Sequence, residues 1–328
     1  MERLSPTDSA MWRGESRQTH RQVATVAILQ GPAPSHEDFA TRVERLLHHA
    51  PRYRQRVVAV PLNLQREVWS DDTHFQLDYH VRHTALPEPG GHVQLRALLG
   101  RIMTHQLDRS KPLWELWMVE GLEDDRWAII LKAHLSLVNG LEGHDLTELL
   151  LNDSVVASEH SWEPDKDPEP RQLLVEAAAD FAVSPLEQLE SAKRLIRLPG
   201  DVLQRGIILT MGTKDSAERS GLRSGPVGPH RSCEWVDVEL ATIREIAAHS
   251  HVSILEVLLS LLCAGLRAAQ ERESDLTATT TMTTLVPLLA GTRIDDGGLR
   301  VNTAHFELPI GLATPQTRLD EVRQQMIS

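Results

Sequence analysis

The chain has 328 residues, of which 41% are hydrophobic and 24% charged, so it has the composition of a folded globular protein and not of a disordered one. Its formal net charge of −12 disfavours nucleic acid as a partner, because binding to polyanions depends on clustered Lys and Arg side chains. The length suits about two domains.

The predicted elements of the first half follow from the spacing of apolar residues. Residues 126–134 (RWAIILKAH) form an apolar run typical of a buried strand, whereas helices are predicted where apolar residues recur every three to four positions. Pro and Gly at residues 86–91 indicate a turn. In chain order, we expect a strand at 22–29, a helix at 38–47, a strand at 53–60, a helix at 93–107, a strand at 126–134, an Asn-Gly loop at 139–140 and a helix at 141–151.

The second half begins after an acidic, proline-rich segment at residues 159–170, which predicts a linker. The expected elements that follow are an amphipathic helix at 185–197, a second linker at 212–229, a strand at 233–240, a helix at 241–250, a buried helix at 254–269, strands at 279–286 and 305–309, and a helix from 318 to 326. The helix at 185–197 suits either a membrane surface or packing between domains. Cys263 lies within an apolar stretch and is expected to be a small core residue.

The start of the chain is polar and shows no signal peptide. The longest apolar run, near residues 254–266, contains Glu256 and is shorter than the roughly 20 residues that span a bilayer. Cys233 and Cys263 are far apart and indicate neither a zinc site nor a disulfide framework. A cytoplasmic protein is therefore predicted, and peripheral contact with a membrane or lipid droplet stays open.

Several short segments, taken together and in order, carry a family resemblance. They are LSPTD at residues 4–8, PRYRQR at 51–56, LDRSKPLWE at 107–115 and EGL at 120–122, with weaker matches at Val286-Pro287, Asn302 and Leu308-Pro309. With these segments the chain resembles the bacterial wax ester synthase/diacylglycerol acyltransferase family. That family joins the acyl group of acyl-CoA to the hydroxyl of a diacylglycerol or a fatty alcohol.

The family signature HHxxxDG corresponds here to the segment HLSLVNG, which follows Lys132 and Ala133. His134 and Gly140 match the signature, Leu135 replaces its second His, and Asn139 replaces its Asp. The resemblance assigns the general base to the second His. A hydroxyl is a poor nucleophile at neutral pH unless a base removes its proton, and a leucine side chain cannot do so. Losing a general base costs roughly 10²–10⁴-fold in rate.

The resemblance therefore makes His134, Asn139 and Gly140 the candidate catalytic positions, with Leu135 at the position of the missing base. His134 would have to substitute as the base after a local shift; the alternative is a hydrogen-bonded core histidine. His144-Asp145, just beyond the motif, suit either a catalytic role or an exposed first helical turn. The Pro112-Leu113-Trp114 segment suggests a packing corner, because Leu and Trp bury large areas.

The resemblance implies an α/β fold of the CoA-dependent acyltransferase type, as in chloramphenicol acetyltransferase and condensation domains. Two mixed α/β halves are expected, an N-terminal half at 1–158 and an incomplete C-terminal half at 171–328, joined by the linker at 159–170. No metal and no tightly bound cofactor is implied, and acyl-CoA is the co-substrate.

Two functional hypotheses stay open. One is an acyltransferase that makes triacylglycerol or wax ester with impaired catalysis. The other is a non-catalytic homologue that binds acyl-CoA, lipid or a full-length partner. A relationship to condensation domains, which share the signature, is opposed by the LSPTD and PLWE segments.

Overall fold

The computed structural model describes the following parts of the chain: residues 2–17, 19–61, 64–139, 146–152, 162–169, 171–175, 228, 230–272, 276–290 and 300–327. Their contacts form two compact units. The first unit contains the described residues from 2 to 175, those from 228 to 234, and Arg300. The second unit contains the described residues from 235 to 290 and from 301 to 327. The domain boundaries at 158 and 171 stay predictions, and the expected helix at 185–197 lies outside the described residues.

The first unit contains two sheets. Their strands are β1 (Glu2–Arg3), β2 (Gln22–Gln30), β3 (Gln55–Val58), β4 (Val68–Asp71), β5 (Val81–Ala85), β6 (Trp114–Leu122) and β7 (Arg126–His134). The larger sheet is mixed and four-stranded, in the order β2-β7-β6-β5. β2 pairs antiparallel with β7 along its whole length, β7 pairs antiparallel with β6, and β6 pairs parallel with β5. The smaller, antiparallel sheet has the order β1-β4-β3.

Helices cover this sheet, and serines cap the first turns of two of them. Ser5 and Ser35 each accept a hydrogen bond from the backbone N–H three residues on, which satisfies an amide that the first helical turn leaves free. The helices of the first unit are α1 (Pro6–Arg13), α2 (His36–Leu46), α3 (Leu77–His80), α4 (His92–Thr104), α5 (Leu135–Asn139) and α6 (Leu146–Leu151). One core cluster joins Trp12 of α1, Val43 of α2 and Ile129 of β7.

The second unit contains α7 (Leu240–Ser250), α8 (Ile254–Gln270), the paired strands β8 (Met282–Ala290) and β9 (Arg300–Leu308), and α9 (Pro315–Ile327). Cys263 is fully buried in a cluster with Phe306 and Val322, which confirms its prediction as a core residue. Burial raises the pKa of its thiol to about 11.

Several predicted elements differ from the structure. The strand predicted at 233–240 is wrong, because residues up to Glu239 are irregular and Leu240 begins α7; Val236 and Val238 are exposed, and hydrophobicity without a pairing strand does not make a sheet. The strand at 53–60 is shortened, since a 3₁₀ turn at Pro51–Arg54 precedes β3. The helix at 254–269 exists but is buried on one side only.

Candidate active site at the end of β7

The degenerate signature lies at the junction between β7 and α5. His134 is the last residue of the strand, and its backbone N–H donates to the carbonyl of Leu113 at 3.0 Å. The next N–H, of Leu135, donates to the carbonyl of Arg21 at 2.7 Å. Neighbouring segments thus hold the backbone from two sides where the helix begins. The loop predicted at Asn139 and Gly140 is wrong at its first residue, because Asn139 ends α5.

His134 is completely buried, and its Nδ1 faces the protein interior. The backbone N–H of Ser136 donates to Nδ1 at 3.1 Å, and the hydroxyl oxygen of Ser136 lies 2.6 Å from the same atom. A backbone N–H can only donate, so Nδ1 accepts and the neutral ring carries its proton on Nε2. Both groups of Ser136 therefore fix the tautomer of His134 and tie the ring to the first turn of α5.

The other ring nitrogen of His134 also points into protein. Nε2 lies 3.9 Å from Oε2 of Glu15, whose side chain is only 3% exposed, and it has no hydrogen-bond partner in the described part of the chain. The ring packs edge-to-face on Trp12. Burial lowers the pKa of His134 to about 4, with further lowering by the charges of Arg109 and Arg21. At neutral pH the ring is neutral and shielded, and its catalytic role stays a prediction.

The remaining signature positions lie beside or beyond this buried ring. Leu135 is half-buried at the start of α5 and is not a member of the main core cluster. The side chain of Asn139, together with Gly140 and the pair His144-Asp145, lies outside the described residues, so their predicted roles stay predictions.

A buried lysine, which sequence reasoning did not assign a role, fixes the strand to α4. Lys132 has no exposed surface, and its Nζ donates to the carbonyl of Ile102 at 3.1 Å and of His105 at 2.7 Å. Oε2 of Glu115 lies 3.7 Å from the same nitrogen. Because the last carbonyls of a helix lack intrahelical partners, the lysine satisfies the end of α4. A charged residue inside an apolar strand was the available signal. Burial lowers the pKa of Lys132.

The packing-corner prediction for Leu113 and Trp114 is confirmed, because both are fully buried. The indole N–H of Trp114 donates to the carbonyl of Tyr53 at 2.7 Å, and the two rings meet edge-to-face at 5.4 Å. His80 stacks on Trp114 at 4.6 Å and donates from Nδ1 to its carbonyl at 2.8 Å. Burial is the main cause that lowers the pKa of His80 to about 4. The PRYRQR and PLWE segments thus contact each other in the core.

Comparison with known proteins explains why these segments occur together. Residues 4–258 match the family described as the wax ester synthase/diacylglycerol acyltransferase catalytic domain. The chain belongs to this family. The correspondence of HLSLVNG to the family signature, with Leu135 at the position of the second His, stays a prediction from the sequence.

Two curated relatives from Mycobacterium tuberculosis show how far the similarity extends. The probable diacylglycerol O-acyltransferase tgs3 is 37% identical over 235 residues, which cover 69% of this chain and 86% of that protein. The probable diacylglycerol O-acyltransferase tgs1 is 27% identical over 334 residues, covering 99% of this chain and 70% of that protein.

Solved structures confirm the fold class. The wax ester synthase/diacylglycerol acyltransferase from Marinobacter aquaeolei VT8 matches with a TM-score of 0.53 at 23% identity, covering 99% of this chain and 71% of that one. The first condensation domain of the CDA synthetase matches with a TM-score of 0.50 at 12% identity, covering 99% and 72%. The chain therefore has the mixed α/β fold of CoA-dependent acyltransferases.

Among the residues that the structure describes, no group of three or more His, Cys, Asp or Glu side chains is arranged to hold a metal ion. No single helix in the same part of the chain has the length and apolar character to cross a membrane, and α7 and α8 meet those criteria only as a pair bent by 107°.

Proposed function

We propose that this member of the family is an acyl-CoA-dependent O-acyltransferase that makes triacylglycerol or wax ester, with turnover reduced by the leucine at position 135. Family membership and the shared fold support the reaction class. One observation supports the reduced turnover. The imidazole that the signature keeps, that of His134, is fully buried, whereas the residue at the base position is aliphatic.

In the proposed reaction the hydroxyl oxygen of a diacylglycerol or fatty alcohol attacks the carbonyl carbon of the thioester. A C–O bond forms, the C–S bond breaks, and the hydroxyl proton finally resides on the CoA thiol. No metal and no covalent enzyme intermediate is required. Without a base, the proton must leave to water, and the rate falls by roughly 10²–10⁴-fold relative to an intact site.

His134 acts, in this proposal, as a positioning residue and not as the base. Its Nδ1 is occupied by Ser136, and its protonated Nε2 faces the carboxylate of Glu15. A pKa of about 4 also leaves the ring a weak proton acceptor at neutral pH. A substrate hydroxyl would have to enter the core to reach either nitrogen.

The test is a transfer assay with radiolabelled acyl-CoA and either diacylglycerol or a long-chain alcohol as acceptor. We expect slow transfer by the unmodified chain and a gain of roughly 10²-fold or more in Leu135→His/Asn139→Asp. The matched control is Leu135→Gln/Asn139→Asp, which introduces a polar group that is not a base and should gain little.

Two outcomes would contradict the proposal. Equal turnover in the unmodified and restored chains would mean that another group is the base. Turnover that disappears in a folded His134→Ala variant would make His134 that group.

A second candidate is a non-catalytic homologue that binds acyl-CoA, lipid or a full-length partner, and the leucine at position 135 favours it as well. It is supported if acyl-CoA binds to both the unmodified and the restored chain while neither transfers the acyl group. Flotation with phosphatidylcholine vesicles containing diacylglycerol tests the peripheral membrane contact that the acceptor lipids imply.

A further inference from the structure

A buried carboxyl group from outside the signature faces the ring of His134. It belongs to Glu15, which follows the C-cap residue of α1, and its side chain is only 3% exposed. α1 packs against α5, and Trp12 of α1 contacts the ring of His134 edge to face. Glu15 therefore reaches His134 from a helix that also packs on the helix following the signature strand.

Three buried polar atoms in this region have no hydrogen-bond partner among the described residues: Nε2 of His134, Oε1 of Glu15 and Nε of Arg21. Two of them are donors, because Nε2 carries the proton of the neutral ring and the Nε of an arginine is always protonated, and the third is an acceptor. A buried polar group that stays unpaired costs about 1–3 kcal/mol. The set therefore combines donors and an acceptor that one shared partner would satisfy.

These three groups are held close to one another. Nε2 of His134 lies 3.9 Å from Oε2 of Glu15, which exceeds a direct hydrogen bond but suits a single bridging molecule. A Cβ atom on Gly14, the residue before Glu15, would lie 3.9 Å from Nε of Arg21. The carbonyl of Arg21 accepts from the N–H of Leu135 at 2.7 Å, so Arg21 is also fixed to the signature.

The chemistry of the three groups selects one kind of occupant. A water molecule can accept from Nε2–H of His134 and Nε–H of Arg21 and donate to the carboxylate of Glu15. A single molecule would then satisfy all three groups, and buried waters usually make about three hydrogen bonds. A cation would meet two N–H donors, and an anion would meet a carboxylate. The site therefore suits a small uncharged molecule that both donates and accepts.

Charge balance with nearby buried cations is the competing explanation for Glu15. Burial lowers the pKa of Arg109 and of Lys132, and the charge of Glu15 is among the causes that oppose both shifts. The guanidinium of Arg109 packs over the ring of Trp12, 3.6 Å from its centroid, and donates to the Trp12 carbonyl. Charge balance alone would account for a carboxylate here, but it leaves Nε2 of His134 without a partner.

We propose that Glu15 is a positioning residue of the signature, which holds the Nε2–H of His134 through one buried water molecule that Arg21 also binds. This inference rests on the proposed function, because the reaction is assigned to the positions that follow His134. Ser136, in the first turn of α5, holds the ring at Nδ1. Fixing Nε2 as well therefore fixes the start of α5, which carries Leu135.

Nuclear magnetic resonance of the full chain, labelled with ¹⁵N at its histidines, tests the site without turnover. Long-range ¹H–¹⁵N spectra identify the tautomer of each neutral ring, and the signal that His134→Asn removes belongs to His134. We expect the Nε2–H tautomer at neutral pH, together with a nuclear Overhauser contact between this proton and a water molecule.

Three variants separate the carboxylate from its surroundings. Glu15→Leu removes the acceptor and should abolish the water contact. Glu15→Gln keeps an acceptor oxygen and should keep the contact, while the Nε2–H resonance moves upfield because the charge is lost. The matched control is Glu37→Leu, the same change at an exposed position of α2, which should leave the signals of His134 unchanged.

Several results would overturn the inference: an Nδ1–H tautomer, no water contact in the unmodified chain, a water contact that persists in folded Glu15→Leu, or an Nε2–H resonance that Glu15→Gln leaves in place. The last result is the one expected if the carboxylate only balances Arg109. If Glu15→Leu does not fold, the resonance in the isosteric Glu15→Gln decides.

The transfer assay separates this inference from the proposed reaction. We expect Glu15→Leu to lower kcat several-fold with the KM for acyl-CoA unchanged, and Glu15→Gln to retain most of the activity. An unchanged kcat in folded Glu15→Leu would refute the positioning role. A chain that shows all of the expected resonance changes but never transfers an acyl group retains the water site and refutes the proposed reaction.

Discussion

Acid should destabilise this protein through two buried neutral histidines, His80 and His134. Both rings are at most 1% exposed, and both have a pKa of about 4 against an ordinary value of 6.5. Because each folded-state pKa lies below the unfolded one, the unfolded chain binds the extra proton first. The contribution to stability is fully present above pH 6.5 and is lost as the pH falls through about 4.

The size of the effect follows from the gap between the two pKa values. At about 1.4 kcal/mol for each pKa unit, each ring contributes about 3 kcal/mol that disappears across this range. That is a large part of the roughly 5–15 kcal/mol by which domains are usually stable. The first unit should therefore unfold at a higher pH than protonation of its carboxylates alone would cause.

Urea unfolding followed by tryptophan fluorescence, at pH steps from about 7 to about 4, measures this loss. We expect His134→Asn, which keeps an acceptor for the N–H of Ser136, to be less stable at neutral pH but to lose stability less steeply on acidification. In His74→Asn, a substitution at an exposed position, the free energy of unfolding should fall with pH as steeply as in the unmodified chain. Identical slopes in the unmodified chain and in both His134→Asn and His80→Asn would refute the argument.

Three further substitutions test the packing, each by urea unfolding. Lys132→Met should cost about 3–5 kcal/mol, because it removes one of the two cations beside the buried carboxylate of Glu115 and leaves two carbonyls at the end of α4 without their donor; no loss would mean that the lysine is not paired as described. Gly90→Ala should cost more than about 2 kcal/mol, because φ is +74° and the new Cβ would overlap the carbonyl oxygen of Gly121. The control Gly31→Ala, at φ +91° in open space, should cost about 1–2 kcal/mol, and equal losses in the two variants would contradict this reasoning. Ser253→Ala should cost about 1 kcal/mol by removing the N-cap of α8, and an unchanged midpoint would exclude that role.

Apolar periodicity predicted much of the fold, and the reasons for its failures are specific. The strand at Arg126–His134 was predicted with its observed bounds, because it is buried on both faces and its sequence is almost uniformly apolar. The strand at Trp114–Leu122 was missed, since Glu115 and Glu120 interrupt the apolar run. Glu115 is paired there with Lys132, which lies opposite it in the sheet, and with Arg82 of β5; such pairing is invisible until the register is known.

The signature itself was located from the sequence, but its surroundings were not. The resemblance placed His134 and Leu135 at neighbouring signature positions, and its prediction that the base is missing at Leu135 stays a prediction. It did not predict the carboxylate of Glu15, which lies just after α1 and comes near His134 because α1 packs against α5. The chain from Arg101 to His105 is likewise an ordinary amphipathic helix end until the segment at Arg231 packs on it.

The two neighbouring signature positions differ in burial. His134 lies in the core, and Leu135 lies at its edge. His134 is packed on all sides, so its replacement disturbs the architecture, whereas the neighbouring position contributes nothing to the main core cluster. Substitutions at such peripheral positions usually change stability by no more than about 0.5 kcal/mol. A substitution at Leu135 can therefore test the proposed reaction while leaving in place the core that surrounds His134.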